Sequence, residues 1–288
     1  MKKLYPLTAA QNMHYRWIKT YKTQQVSGVS IVAALKLEMD FALLKRCINM
    51  EIKRYKCLGL RFTKPDENGE IKQYLVNTVP RSIKLLKLDT IPFEKADATL
   101  QNMAYTTLDG DDIPMYEFFF VMLPEGYNGF FVHMDHRLID SCGLAVMVED
   151  IIKLYAHFKY DREYPEDLAD FETVLESDLS KASNEKRFQR AKKFWDDQLD
   201  TLGEPLYSDI TGPSSLEESR KKHGNPDLRS CDIEKENLFV TVKDYKLEEV
   251  PSKHLFEFCE KNQISLNNLL LLTMRTYLSK VNNGQEDI

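Results

Sequence analysis

The sequence has no excess of positive charge and no apolar run long enough to cross a membrane. Its net charge is -6 at pH 7 and its pI is about 5.6. Nucleic-acid binding needs a basic surface that neutralises phosphates, so this charge balance excludes nucleic acid as an expected partner. A membrane-spanning helix needs about 20 consecutive apolar residues, and no run here approaches that length. No apolar signal core follows the opening Met-Lys-Lys, so we expect neither secretion nor membrane insertion.

Cysteine is also scarce, and the pattern of the cysteines excludes two further classes of protein, those built on disulfides and those built on a structural metal. Their number is odd, they are scattered, and none forms a paired spacing typical of a metal site. We therefore expect reduced thiols in a cytoplasmic protein, without a disulfide framework or a structural metal. The five positions are Cys47, Cys57, Cys142, Cys231 and Cys259.

The sequence is rich in material for a hydrophobic core. Its 288 residues, 43% of them hydrophobic, are enough for about two domains. Tyr116–Leu123 and Phe130–Val132 are short apolar runs rich in aromatic and β-branched residues, separated by a turn-forming segment, 124–129. This pattern predicts a β-hairpin. Apolar residues then recur at helical spacing from Leu144 to Phe158, which predicts a helix that begins just after Asp140.

His136 lies between the predicted strand and this helix, where a side chain can reach a cleft while its backbone is held. A neutral imidazole can accept a proton from an amine or hydroxyl that attacks a carbonyl group. Asp140 lies too close in sequence to contact the ring readily, and it is well placed to cap the helix. From these residues alone, a structural histidine remains the alternative interpretation.

The rest of the chain predicts alternating helices and strands with one long break. The segments from Ala9 onward, 41–52, 184–199, 250–262 and 265–281 predict helices, 91–108 predicts a loop and a helix, and 29–37, 71–76, 238–242 and 245–247 predict strands. Thr8, Ser252 and Ser265 are the expected N-terminal residues of three of these helices. Residues 203–232 combine Pro, Gly, Ser and charge without periodicity, which is typical of a linker or long loop.

Asp135, His136, Asp140 and Ser141 resemble the His-His-x-x-x-Asp-Gly motif of condensation domains of nonribosomal peptide synthetases. These domains are part of the chloramphenicol-acetyltransferase-like acyltransferase superfamily. The resemblance assigns catalysis to His136, which takes the position of the second His. Asp135 replaces the first His and Ser141 replaces the Gly. The resemblance therefore implies an altered geometry around a retained catalytic imidazole.

Two upstream segments extend the resemblance. Thr8, Ala10, Gln11 and Tyr15 match the family's first motif, in which Met13 replaces an Arg.

Arg54, Leu58 and Phe62 match a second family motif, whose other Arg position is taken by Gly59, with Arg61 nearby. In the family an arginine of this segment pairs with the Asp of the catalytic motif. The resemblance therefore implies that Arg54 or Arg61 holds Asp140, and the alternative is that both arginines are solvated surface charges.

The resemblance implies a mixed α/β fold, the chloramphenicol-acetyltransferase-like two-layer sandwich. Residues 1–175 correspond to a complete first half that carries the His-x-x-x-Asp site. Residues 176–288 correspond to a linker and the beginning of the second half. In the family the active site lies between the halves, so we expect the isolated 288-residue chain to be inactive and to form a homodimer through uncovered apolar surface.

The implied activity is acyl transfer without a metal or directly bound cofactor. An amine, or less often a hydroxyl, attacks a thioester whose acyl group is carried on phosphopantetheine. The implied partners are peptidyl or acyl carrier proteins and neighbouring synthetase domains, in the biosynthesis of antibiotics or other secondary metabolites.

Three other functions remain open. A stand-alone alcohol or lipid acyltransferase would share the superfamily fold. A degenerate domain that binds partners without catalysis would account for the altered motif positions. A metal-dependent hydrolase is suggested by His133, Asp135 and His136, which match part of a His-x-His-x-Asp-His pattern in which Phe131 takes the place of a ligand.

Overall fold

The structure, a computed structural model, describes residues 2–20, 27–106, 108, 112–202, 214–228, 245–282 and 284. The chain divides into two compact units, Met1–Phe188 and Gln189–Ile288. The strands are β1 (Gly28–Leu35), β2 (Leu60–Phe62), β3 (Gln73–Leu75), β4 (Lys84–Lys87), β5 (Tyr116–Leu123) and β6 (Tyr127–Asp135). The helices are α1 (Ala9–Thr20), α2 (Phe41–Arg54), α3 (Phe93–Ala104), α4 (Ser141–Tyr160), α5 (Phe171–Ala182), α6 (Glu185–Leu202), α7 (Ser214–His223), α8 (Glu249–Lys261) and α9 (Leu266–Val281). The mixed α/β class predicted from the sequence is confirmed.

A four-stranded sheet in the order β1-β6-β5-β4 organises the first unit. β6 pairs antiparallel with both β1 and β5, and its His133 lies opposite Ser30 on one side and Glu117 on the other. β4 pairs in parallel with β5 and was not predicted, because its Lys-Leu-Leu-Lys sequence has no strand periodicity. β2 and β3 form a separate two-stranded sheet, which Tyr5 extends by a single bridge to Gln73.

The β5–β6 hairpin is confirmed, but its turn is shorter than predicted. The turn occupies Pro124–Gly126, and β6 begins at Tyr127, three residues before the predicted start. Glu125 and Gly126 have φ values of 60° and 81°, so two successive left-handed residues reverse the chain within a very short connection. Because the turn is short, β6 begins at Tyr127 and extends as far as Asp135, its last residue.

The two faces of the sheet are buried in separate hydrophobic clusters. On one face, the even-numbered residues of β6 (Phe130, Val132 and Met134) belong to the main cluster with residues of α2 and α4, among them Leu44, Ile48, Ile52, Leu144, Met147 and Ile151. On the other face, Phe131 and Val121 cluster with Ala96 and Leu100 of α3. Full burial of a large apolar side chain contributes roughly 1.5–3 kcal/mol. Burial on both faces therefore fixes the register of β6 and the position at which it ends.

In the second unit, α7 occupies part of the predicted linker, so that prediction was wrong for residues 214–223. The predicted strand 238–242 lies outside the described residues, and Tyr245–Leu247 is described without strand pairing. α8 begins at Glu249 instead of near Ser252, because Pro251 is accommodated in the first helical turn, where backbone N–H groups have no intrahelical partner. The helix predicted over 265–281 is α9, and Ser265 caps it. Across the described residues, no helix combines the length and apolar character that a membrane span requires.

Two buried carboxylates meet one arginine between α2 and α4. Arg54 donates a hydrogen bond to Glu51 and lies 3.7 Å from an Asp150 carboxylate oxygen, which accepts a hydrogen bond from the Tyr55 hydroxyl at 3.1 Å. Glu51 is fully buried, and its Oε2 has no hydrogen-bond partner among the described residues. Burial raises the pKa of Glu51 to about 7, and Asp150 adds to the rise, although Arg54 opposes it. Glu51 is therefore mostly protonated in the folded protein below about pH 7.

We expect the Glu51→Gln variant to lose part of the pH dependence of folding. A carboxyl group whose folded pKa lies above its unfolded value of about 4.3 binds more protons in the folded state, so its contribution to stability falls as pH rises from about 4.3 to 7. Across this pH interval the free energy of unfolding of the wild type should fall by on the order of 2–3 kcal/mol relative to that of Glu51→Gln. Urea denaturation at pH 5 and 7.5 measures the difference, with the exposed Glu67→Gln as control. Equal pH dependence in all three proteins would contradict the prediction.

Candidate active site

His136 is the first residue after β6 and lies between a buried strand and a helix, as the sequence predicts. Its backbone N–H donates to the carbonyl oxygen of Ser27, just before β1, at 2.7 Å. Its side chain is half-buried and lines a cleft of about 640 Å³. The imidazole is therefore accessible to a small group in the cleft although its backbone is held by the sheet.

The cleft lies within the first unit, and its lining residues come from α1, the β6–α4 loop and α5. The apolar lining residues are Ala10, Leu138, Ile139, Phe171, Val174 and Leu175. α5 adds polar groups from Thr173, Ser177, Asp178 and Lys181. A cleft of mixed lining with one accessible imidazole is typical of a site for an organic substrate.

Asp135 and Arg137, on either side of His136, form a buried ion pair. Both side chains are 1% exposed. One carboxylate oxygen accepts from the Arg137 backbone N–H and from Nε, each at 2.8 Å, and the other accepts from Nη2 at 3.1 Å. The guanidinium carbon also lies 4.6 Å from the centre of the Phe62 ring. The replacement of the motif's first His by Asp thus gives Arg137 a charged partner and fixes the backbone on both sides of His136.

The pairing of Arg54 or Arg61 with Asp140 was wrong. Arg54 is engaged by Glu51, Asp150 and the carbonyl oxygen of Glu166. Arg61 is buried and donates to the carbonyl oxygens of Leu58 and Leu60 at 3.1 and 2.6 Å.

These two arginines have partners of their own because Arg54 ends α2 in the interface with α4, whereas Arg61 lies in the β2–β3 sheet. The arginine beside the candidate catalytic residue is Arg137, which sequence reasoning missed although it lies within the motif segment.

Asp140 caps α4, as the sequence predicted. Its Oδ1 accepts from the backbone N–H of Gly143 at 2.7 Å, and the exposed Ser141 is the first helical residue. A Cβ atom added at Gly143 would lie 2.8 Å from Ile139 and 3.2 Å from the Asp140 carboxylate, so a larger residue there would displace these two side chains. Asp140 therefore shapes the loop that presents His136.

We expect Asp140→Ala to destabilise the protein by about 1 kcal/mol, because the first turn of α4 loses an N-cap acceptor. Asp140→Asn retains a side-chain oxygen at the same position and should keep most of the stability. Thermal unfolding of the two variants beside the wild type measures the effect. A larger loss in Asp140→Asn than in Asp140→Ala would exclude the capping role.

His14 was not recognised as a site residue from the sequence. Its ring lies parallel to that of His136, with ring centres 4.3 Å apart and an angle of 17° between the planes. α1 is anchored by Thr8 and Gln11, which cap its N-terminus reciprocally, and Gln11 also donates to the Arg137 carbonyl oxygen at 3.1 Å. The missed signal is the spacing of Gln11 and His14, which places both side chains on one face of α1.

The geometry disfavours the metal-dependent hydrolase. Nε2 of His133 lies 2.8 Å from the Thr106 carbonyl oxygen, and the Asp135 carboxylate is occupied by Arg137. His133 and Asp135 are residues of β6, whereas His136 lies beyond its end and lines the cleft. Within the described ranges, no group of three or more His, Cys, Asp or Glu residues is placed to hold a metal ion.

The arrangement can carry out proton transfer in a partly apolar cleft. A half-buried imidazole can accept a proton from a nucleophile as it attacks a carbonyl group, provided that its ring is held in a fixed orientation. The flanking Asp135 and Arg137 neutralise each other, so they add no net charge beside it.

The sequence model of one protein family, described as Condensation domain, matches residues 1–288. The chain is 24% identical over 290 residues to surfactin synthase subunit 1 of Bacillus subtilis (strain 168). The aligned region covers 99% of this chain and 7% of that protein. It is also 26% identical over 194 residues to tyrocidine synthase 3 of Brevibacillus parabrevis. This second aligned region covers 66% of this chain and 3% of that protein. The chain thus spans only a small part of these large relatives.

Solved structures of similar fold include two condensation domains. The starter condensation domain of rhizomide synthetase RzmA superposes with a TM-score of 0.60 at 16% identity, over 73% of this chain and 50% of the solved one. The first condensation domain of the calcium-dependent antibiotic synthetase, in complex with a substrate analogue, gives a TM-score of 0.60 at 17% identity, over 77% and 58% of the two chains. At these identities the likeness supports the fold, and the predicted chloramphenicol-acetyltransferase-like architecture is confirmed.

Proposed function

Because the chain belongs to the condensation-domain family, we propose that it joins an acyl group to an amine in nonribosomal peptide synthesis, with His136 as the proton acceptor. Domains of this family are acyltransferases. The observation that carries the assignment to His136 is its position at the end of β6, half-buried and lining the cleft between α1 and α5. Its motif counterpart in the family is the histidine to which catalysis is assigned.

The proposed reaction is an aminolysis of a thioester. The amine nitrogen attacks the thioester carbonyl carbon, His136 accepts a proton from that nitrogen, and the carbon–sulfur bond breaks as the amide forms. The proton then passes to the departing thiolate, so the imidazole returns to its neutral form. A general base at this position typically contributes about a hundred- to ten-thousandfold in rate. A hydroxyl acceptor would give an ester by the same steps.

The donor and acceptor are proposed to be presented on phosphopantetheine arms of carrier proteins. Surfactin synthase subunit 1 and tyrocidine synthase 3 are many times longer than the segment matched here, which supports neighbouring synthetase domains as partners. A phosphopantetheine arm is long and narrow, which suits a cleft of about 640 Å³ with a half-buried imidazole in its lining. A cytoplasmic location and a role in antibiotic or other secondary-metabolite synthesis belong to the same proposal.

The test is an assay of the intact protein with two carrier proteins, one loaded with an acyl thioester and one with an aminoacyl thioester. Mass spectrometry of the acceptor carrier should show the mass of the condensed product, and the donor carrier should lose its acyl group in equal amount. An acceptor loaded with a hydroxyacyl group distinguishes ester from amide formation. Loss of donor acyl groups without any condensed product would overturn the proposal.

A further inference from the structure

His14 and His136 are stacked although they come from distant parts of the chain. α1 supplies one ring and the loop after β6 supplies the other, with ring centres 4.3 Å apart and planes within 17° of parallel. His14 is only 7% exposed, so its ring is held in the protein interior on one side of the cleft. The stack restricts the plane in which the half-buried His136 ring can lie.

Ser27 connects the two histidines. Its hydroxyl lies 3.1 Å from Nδ1 of His14, and its carbonyl oxygen accepts the backbone N–H of His136 at 2.7 Å. Ser27 itself is 1% exposed and directly precedes β1. Trp17, one turn further along α1, contacts the His14 ring edge-on with ring centres 5.2 Å apart. One buried serine therefore fixes both the ring of His14 and the backbone of the residue that it stacks on.

The surroundings of His14 favour its neutral form. Burial lowers the pKa of His14, and the nearby His136 and Arg137 lower it further, whereas Asp135 opposes them. The cleft also contains Asp140, Asp178 and Lys181. A neutral His14 presents an aromatic face to His136 in both protonation states of the latter, without like-charge repulsion when His136 holds a proton.

We propose that His14 is a positioning residue for His136, which it orients by ring stacking. The proposal rests on the proposed function in so far as His136 is the proton acceptor. The role belongs to the aromatic face of His14 and not to its ring nitrogens. A ring without nitrogens should therefore retain the role, and a side chain that keeps the contact to Ser27 without a ring should lose it.

Two variants separate these contributions. His14→Phe retains a stacked ring and loses the contact to the Ser27 hydroxyl, whereas His14→Asn keeps a polar group near the position of Nδ1 and loses the ring. The matched control is His157→Asn, because His157 lies in the last turn of α4, contacts Phe158 and Tyr164 edge-on, and does not line the cleft.

The first measurement is NMR of the chain with selectively labelled histidine. The chain has six histidines, so the ring C–H signals are few and the His136 signal is assigned by its loss in His136→Ala. Protons above an aromatic face are shielded, so His14→Asn should shift the His136 signal downfield, and His14→Phe and His157→Asn should leave it near the wild-type position. An unshifted His136 signal in His14→Asn would show that the rings are not stacked.

The second measurement is kcat/KM in the condensation assay with the intact protein. An aromatic pair contributes an energy that corresponds to roughly a 2- to 12-fold change in rate, so His14→Asn should fall by that factor and His14→Phe should recover most of it. If His14→Phe falls as far as His14→Asn, the Ser27 contact matters and the stacking proposal is wrong. If His136→Ala itself remains active, the proposed function fails, whereas the NMR result on stacking stands.

Discussion

Replacing His136 with alanine is expected to lower the rate of condensation by about a hundred- to ten-thousandfold, while the protein keeps most of its stability. In the proposed reaction the rate falls because the attacking amine loses the group that accepts its proton. The fold persists because the half-buried ring contributes little to the core, and the backbone hydrogen bond from residue 136 to Ser27 does not depend on the side chain. Single-turnover condensation and thermal unfolding measure the two effects separately.

His157→Ala is the control for the removal of an imidazole elsewhere in the same helix–loop segment, and it should condense at the wild-type rate. His136→Gln adds a second comparison, because it keeps a polar side chain of similar length without a base near neutral pH. Both substitutions at position 136 should lose the activity. Turnover within tenfold of the wild type in His136→Ala would remove the proton-acceptor role, and a large fall in melting temperature would indicate a structural one.

The local elements of the site could be predicted from the sequence because short-range patterns determine them. The apolar runs Tyr116–Leu123 and Phe130–Val132 predicted β5 and the centre of β6, which put the end of the second strand shortly before His136. Asp140 precedes a helical repeat and caps it, as residue type and position predict. Helical periodicity likewise located α9, which was predicted over 265–281. The position of His136 follows from these elements together.

The partners across the fold could not be predicted in this way. The sequence gives no distance between Asp140 and Arg54 or Arg61, and family resemblance suggested a pair that the structure does not have. The actual pair joins Asp135 and Arg137, two residues apart, because the chain turns sharply after β6 and brings both side chains into the interior. His14 escaped notice for a related reason. Its significance depends on the contact of α1 with the β6–α4 loop, which no periodicity encodes.

The buried Asp135–Arg137 pair should have the largest effect on stability. Removal of one partner leaves an uncompensated charge in the interior, which typically costs about 3–5 kcal/mol. We therefore expect Arg137→Met and Asp135→Asn each to lower the free energy of unfolding by that amount. Since small domains are stable by only about 5–15 kcal/mol, either variant should unfold at a much lower urea concentration. Equilibrium urea denaturation measures the loss.

The double variant Asp135→Asn/Arg137→Met separates the interaction from the side chains. With both charges removed, neither group is left ionised and unpaired, so the double variant should be more stable than the sum of the single losses predicts. The exposed i,i+4 pair of Lys192 and Asp196 supplies the control, because solvent screens such a pair and Asp196→Asn should cost less than about 1 kcal/mol. Strict additivity of the two single variants would show that Asp135 and Arg137 are not coupled. The loop that presents His136 would then depend mainly on the Ser27 and Gln11 hydrogen bonds and on the Asp140 cap.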